Sequence, residues 1–170
     1  MTSTTDDTAV IKILRGAVAG ALAGVVASFA MDRFQALVST LAPSDSDEEP
    51  ATAKAADRVK QAVDGAPVPE EQQPLAGQLV HYLLGAGLGV AYGVAAEFRP
   101  AVTTGFGAPF GLGVAAALDE AAVPAVGLGS SPRETPPSTH AYTIASHLVF
   151  GTVAELTRRQ VRSTLLPATD

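Results

Sequence analysis

QQPLAGQLVHYLLGAGLGVAYGVAA, Gln72 to Ala96, runs for 25 residues without an Asp, Glu, Lys or Arg. A bilayer core about 30 Å thick needs roughly 20 apolar residues at a rise of about 1.5 Å each, so this run is long enough to cross one. Three further runs share its character: 16 residues without a formal charge separate Arg15 from Asp32, 19 separate Arg99 from Asp119, and 20 separate Glu134 from Glu155. The first is short, but it can borrow Ile11, Ile13 and Leu14 while Lys12 and Arg15 snorkel to the interface. Four such gaps predict an all-α fold, an integral membrane four-helix bundle.

Composition agrees with the gaps. A chain of 170 residues suits one domain, and 16% charged residues is well below the roughly 25% of an average soluble domain. The competing reading is a soluble helical protein rich in Ala and Gly, which a mean hydropathy of +0.25 leaves open. Against it, Gly inside a soluble helix costs roughly 1 kcal/mol relative to Ala, whereas Gly is common in membrane helices. A cleavable leader ending near Ser28-Phe29-Ala30 would explain the first run and leave the other three unexplained. The absence of Cys removes disulfides, thiolate catalysis and iron–sulfur clusters, and a net charge of −6 without Trp argues against nucleic acid as a partner. The partner that the composition calls for is the lipid bilayer.

Along the chain, residues 1–9 read as a disordered tail, residues 10–165 as one membrane domain and residues 166–170 as a second tail. The predicted helices cover about 10–41, 75–97, 101–122 and 138–162, the third kinked at Pro109. PSDSDEEP, Pro43 to Pro50, is an acidic linker. It leads into a short extra-membrane amphipathic helix over about 51–64, lying at the membrane surface or on the bundle, with Ala55, Val59, Ala62 and Val63 on one face and Gly65 as its stop. Four spans place both termini on one side. That side holds Lys12, Arg15, Arg99, Arg158, Arg159 and Arg162, whereas the other has Arg33 and Arg133 plus Lys54, Arg58 and Lys60 in a loop diluted by eight carboxylates. The positive-inside rule then sets both termini in the cytoplasm.

Gly16, Gly20 and Gly24 form one ladder at helical spacing, and Gly85, Gly89 and Gly93 form another. Without Cβ atoms two backbones can approach closely in lipid, either within the chain or between copies in a homo-oligomer. The stretch GFGAPFGLG, Gly105 to Gly113, looks like a phosphate loop only superficially, since no strand precedes it and no Lys-Ser/Thr follows.

All three histidines lie inside or at the mouth of apolar runs. Counting residues from the expected helix ends puts Asp32, His81, Asp119, Glu120, His140 and His147 at one level in the outer half of the bundle. Such groups at membrane depth usually face the protein interior. Three readings stay open for them: a hydrogen-bonded network that fixes helix register, a pH-responsive site, and a metal site of imidazoles with carboxylates. No cofactor beyond that metal is called for, and haem between His81 and His147 finds no further support. A second layer, Glu97, Arg99, Glu155, Arg158 and Arg159, reads as ion pairs at the cytoplasmic interface. No Ser or Cys nucleophile has a recognisable setting, so the sequence points to no enzyme.

SFAMDRFQ (Ser28 to Gln35), HYLLGAGLGVAYGVAAE (His81 to Glu97), LDEAAVPAVGL (Leu118 to Leu128) and HAYTIASHLVFGTVAELTRRQVR (His140 to Arg162) together resemble the YagU-like family of bacterial inner-membrane proteins. The resemblance implies an integral cytoplasmic-membrane protein of several helices, with a connection to acid tolerance proposed for one branch. The chain departs from that branch in its long acidic loop, Ser44 to Gln73, and in having neither Cys nor Trp. The expectation is an uncharacterised multi-pass protein whose polar outer cluster is structural or pH-responsive, with a proton- or ion-conducting oligomer and a metal-binding membrane protein as alternatives.

Overall fold

The structure, a computed structural model, describes residues 3–42 and 49–166, with side chains from Thr8 onward. Met1 and Thr2, most of the acidic linker and the last four residues of the expected C-terminal tail lie outside the described residues. All regular structure among the described residues is helical. Helix α1 spans Ser3–Leu41, α2 Ala51–Asp64 and α3 Gln73–Phe98; α4 spans Ala108–Val114 and continues through a π-helical stretch, Ala115–Ala122, into the short α5, Val123–Ala125; α6 spans Pro137–Thr164. Three stretches are long and apolar enough to cross a membrane: Thr8–Leu41, Glu70–Phe98 and Pro100–Ala125. The fourth expected span, α6, falls short of that apolarity, because polar residues such as Ser138, Thr139, His140, Thr143, Ser146 and His147 fill its charge-free part and Glu155, Arg158, Arg159 and Arg162 share its C-terminal third. It nevertheless packs along α1 and α4 as part of the same body.

The small residues lie inside and the large apolar ones outside. Ala19, Ala23 and Ala27 of α1 are fully buried, whereas Val18, Leu22, Val25 and Phe29 face outward, as do Leu79 and Leu83 of α3. In water this would be an inverted protein; in lipid, where tails are as apolar as Leu, close backbone packing favours small residues at helix contacts. The two glycine ladders face one another in antiparallel register. A Cβ built on Gly16 would meet the Gly93 carbonyl oxygen at 2.7 Å, one on Gly20 that of Gly89 at 2.0 Å and one on Gly24 that of Gly85 at 2.1 Å. Each ladder thus occupies the other within the chain. An adjacent alanine stripe turns α1 toward α6, where Ala27 and Met31 pack with Phe150 and Ala154.

Four features differ from expectation. Helix α1 begins at Ser3, so most of the expected N-terminal tail is helical; its Thr- and Asp-rich sequence suits a helix N-terminus. The third helix is broken rather than kinked: Gly105, Phe106 and Gly107 have φ of 69°, 54° and 79°, and α4 restarts at Ala108. Pro109 then sits in a first turn, where its missing N–H costs nothing. Further on, Pro124 would clash with the carbonyl four residues back in a regular helix, and the wider π-helical turn ahead of it opens that spacing. Helix α2 has the expected bounds but buries a different face. Ala53 and Ala56 are its buried residues, whereas Val59 and Val63 stay 63% and 78% exposed. The reason is Gly77 of α3, which has no side chain and lets Ala53 seat against it.

Candidate functional site

Each of the three histidines faces a carboxylate from a different element. His81 of α3 places Nε2 3.3 Å from Oδ1 of Asp32 on α1. His147 of α6 places Nδ1 3.3 Å from Oδ2 of Asp119, and His140 places Nδ1 2.6 Å from Oε1 of Glu120. Asp119 and Glu120 both lie on the π-helical stretch, whose widened turn presents two consecutive carboxylates to one neighbouring helix. The six residues expected at one level therefore come together as three separate pairs. Among the described residues no group of three or more His, Asp or Glu side chains is placed to hold a metal ion, so the convergence of His81, His147 and Asp119 or Glu120 that the metal alternative would require is not formed.

The pairs are not equivalent. Both ring nitrogens of His140 face acceptors, Glu120 and the Pro132 carbonyl at 3.0 Å, and only a doubly protonated ring satisfies both. His147 directs Nδ1 to the Thr143 carbonyl at 3.0 Å as well as to Asp119, so Nδ1 carries the proton and a neutral ring keeps an acceptor lone pair on Nε2. The approach of His81 to Asp32 is close but lacks hydrogen-bond alignment, and its Nε2 is buried without a hydrogen-bonding partner. Asp32 accepts instead from Nε2 of Gln78 at 2.6 Å. Gln78 was not singled out by the sequence, although it lies three residues before His81 on the same helix face.

Between these pairs lies a cavity of about 170 Å³ with a mostly apolar wall, which includes Met31, Leu84 and Phe150 together with His81, Asp119 and His147. Helix α2 covers part of it through Ala51, Thr52 and Ala55. Arg58 of α2 donates to the carbonyls of Val126 and Gly127, and Asp57 accepts from the Val68 amide at 2.8 Å, so α2 is strapped down at both flanks. Ser28 also lines the cavity. It is fully buried and its Oγ has no hydrogen-bond partner, an uncommon state for a buried hydroxyl.

The second layer is a set of ion pairs around one buried carboxylate, and it opens to the exterior at Arg159, whose side chain is 46% exposed. Glu155 has no exposed surface, and its carboxylate accepts from Arg158 at 2.8 and 2.9 Å, from Arg159, and from the Tyr92 hydroxyl at 2.9 Å. A buried carboxylate with this many donors is compensated for its lost hydration. Glu97 pairs with Arg162 rather than Arg99, which is exposed at the C-terminal cap of α3. Tyr92 stacks on Phe110 at 4.2 Å between ring centroids, and Arg159 lies over the Phe106 ring. The GFGAPFGLG stretch supplies the necessary closeness. A Cβ on Gly107 would meet the Gly151 carbonyl oxygen at 2.1 Å, and one on Gly111 that of His147 at 2.0 Å. Tyr92, Gly107 and Gly151 went unnoticed in the sequence, although Gly107 and Gly111 repeat the four-residue spacing of the ladders.

The class of protein is set by this arrangement: a helical protein with three apolar stretches able to span a membrane and with ionisable groups gathered at the two ends of its packed interior. Residues 60–156 match the model of a family described as a protein of unknown function, DUF1440, and the chain belongs to that family. No curated protein and no solved structure matches the chain. The matched region contains His81, Asp119, Glu120, His140, His147 and Glu155, and excludes the α1 residues Ser28 and Asp32.

Proposed function

We propose that this chain is a non-enzymatic, four-span protein of the bacterial cytoplasmic membrane, of the YagU-like kind, whose three histidine–carboxylate pairs are pH-responsive clasps between helices. The observation that carries the reading is that every histidine in the chain faces a carboxylate from another helical element. A neutral imidazole contributes one hydrogen bond at most, whereas an imidazolium adds charge attraction in a site of reduced dielectric. Acidification would therefore tighten α3 on α1, and α6 on the π-helical stretch, until the carboxylates themselves take up protons. Support for α6 as the fourth span comes from its packing along α1 and α4, and from its 28 residues, about 42 Å of helix. The excess of Lys and Arg at the end holding both termini supports a cytoplasmic location for them.

A metal centre draws less support, because the six groups are spent in pairs. Association through a glycine ladder draws less as well, since the ladders fill each other; an oligomer would use another surface. Thermal unfolding of the purified protein in mild detergent, measured from neutral to mildly acidic pH, tests the clasps. The wild type should gain stability as pH falls through the histidine range, and the triple variant His81→Gln, His140→Gln, His147→Gln should not. Equal pH profiles for the two would overturn the proposal.

A further inference from the structure

We propose that the outer end of the bundle is a binding site for a small lipophilic amine, with the apolar body in the 170 Å³ cavity and the ammonium group against Asp119, His147 and Ser28. The argument rests on the kinds of polar atom that the cavity offers. Its wall holds one carboxylate, the hydroxyl-bearing residues Ser28 and Thr52 and two imidazoles, and neither Lys nor Arg. Neutral His147 presents a lone pair, and the Ser28 hydroxyl, though able to donate, is fully buried and unpartnered. An ammonium supplies three donors and a positive charge to such an acceptor-rich wall; a carboxylate ligand would meet Asp119 with no fixed cation to offset it.

The neighbouring hollows carry the same charge sign. One is lined by Asp32, Glu49 and Glu70, and the other by Glu49, Asp119 and Glu120, again without Lys or Arg. Glu49 stands where they meet, and its Oε1 is buried without a hydrogen-bond partner. Low-dielectric walls lined by one sign of charge concentrate the opposite ion. His81 lines both the apolar cavity and the hollow that holds Asp32, so it stands on the route between them.

This inference shares Asp119 and His147 with the clasps proposed above but does not depend on their response to pH. The test is equilibrium binding of radiolabelled 2-phenylethylamine to the full chain in nanodiscs, against empty nanodiscs, at mildly alkaline pH. 2-Phenylethanol and 3-phenylpropionate serve as neutral and anionic competitors of similar shape. The amine should bind saturably and at least about tenfold tighter than either competitor, the equivalent of one charged contact. Asp119→Asn should weaken amine binding by about tenfold or more and leave the alcohol unaffected, and Ser28→Ala should weaken it several-fold. Absence of saturable amine binding, or equal displacement by the alcohol, overturns the proposal. Should Asp119→Asn fail to fold, the competitor series on the wild type still decides. Failure here with pH-dependent stability intact would remove the ligand and leave the clasps standing; the reverse result would remove the clasps alone.

Discussion

The two ends of this molecule solve one problem, carboxylates inside an apolar bundle, in opposite ways. At the inner end Glu155 is wholly buried and saturated by two arginines and a tyrosine, and Glu97 is held by Arg162. Arginine stays charged at any physiological pH, so that arrangement is permanent. At the other end, the outer one on the topology proposed above, Asp32, Asp119 and Glu120 each face a histidine, the side chain whose charge changes near neutrality, and the contacts at His81 and His147 are 3.3 Å rather than short. On the reading proposed above, one end fixes the helices and the other leaves them adjustable.

The largest expected effect comes from breaking the fixed end. Glu155→Ala would leave Arg158, Arg159 and Tyr92 without their common acceptor, and removing one partner of a buried ion cluster costs about 3–5 kcal/mol. Thermal unfolding in detergent should show a loss that no single change at the outer end equals. Next comes the ladder that ties the ends together. Gly20→Ala would push a methyl to 2.0 Å from the Gly89 carbonyl oxygen, and overpacking of this kind costs about 1–3 kcal/mol. Gly87→Ala, at a position where a Cβ meets nothing within 4 Å, is the matched control and should be neutral or slightly stabilising. A loss at Gly87 as large as that at Gly20 would contradict the facing ladders.

Smaller effects sharpen the contrast between the ends. Tyr92→Phe removes one hydrogen bond to a charged group and should cost roughly 1.5 kcal/mol at any pH between mildly acidic and neutral, because the arginines keep Glu155 ionised throughout. His147→Gln loosens a 3.3 Å contact with Asp119 and should cost about 1 kcal/mol or less, an unfolding shift of about 2–4 °C. For the triple histidine variant proposed above the sign follows from linkage: stability that depends on charged histidines is present at low pH and lost as pH rises. A loss for His147→Gln as large as that for Tyr92→Phe would erase the distinction between a fixed and an adjustable end.

Much of this architecture was legible in the chain, for physical reasons that differ by element. Runs without charge marked α1, α3 and the third span, since a bilayer tolerates few charges over about 20 residues. The four-residue glycine spacing marked close packing, and counting from helix ends brought His81 level with Asp32, and His147 level with Asp119. Counting could not say which histidine met which carboxylate, because pairing depends on how each helix is rotated. Nor could it foresee that Glu155 would be buried. Its place beside three arginines resembles an interfacial helix end, and only the approach of Gly107 to Gly151 draws that turn inside. In α2 the apolar face was legible but the packed face was not: Val59 and Val63 stay exposed while Ala53 and Ala56 are buried, because α3 offers Gly77 where Ala53 seats.

The sequence by itself determined the solvent, the helices and the residues able to carry charge in apolar surroundings, since transfer free energy and helical periodicity act on each segment alone. The tertiary structure decided the partners: ladder against ladder, histidine against carboxylate, and an acceptor-lined cavity under α2. Those depend on contacts between helices distant in the chain, where a rotation of one helix by a single residue would exchange every partner.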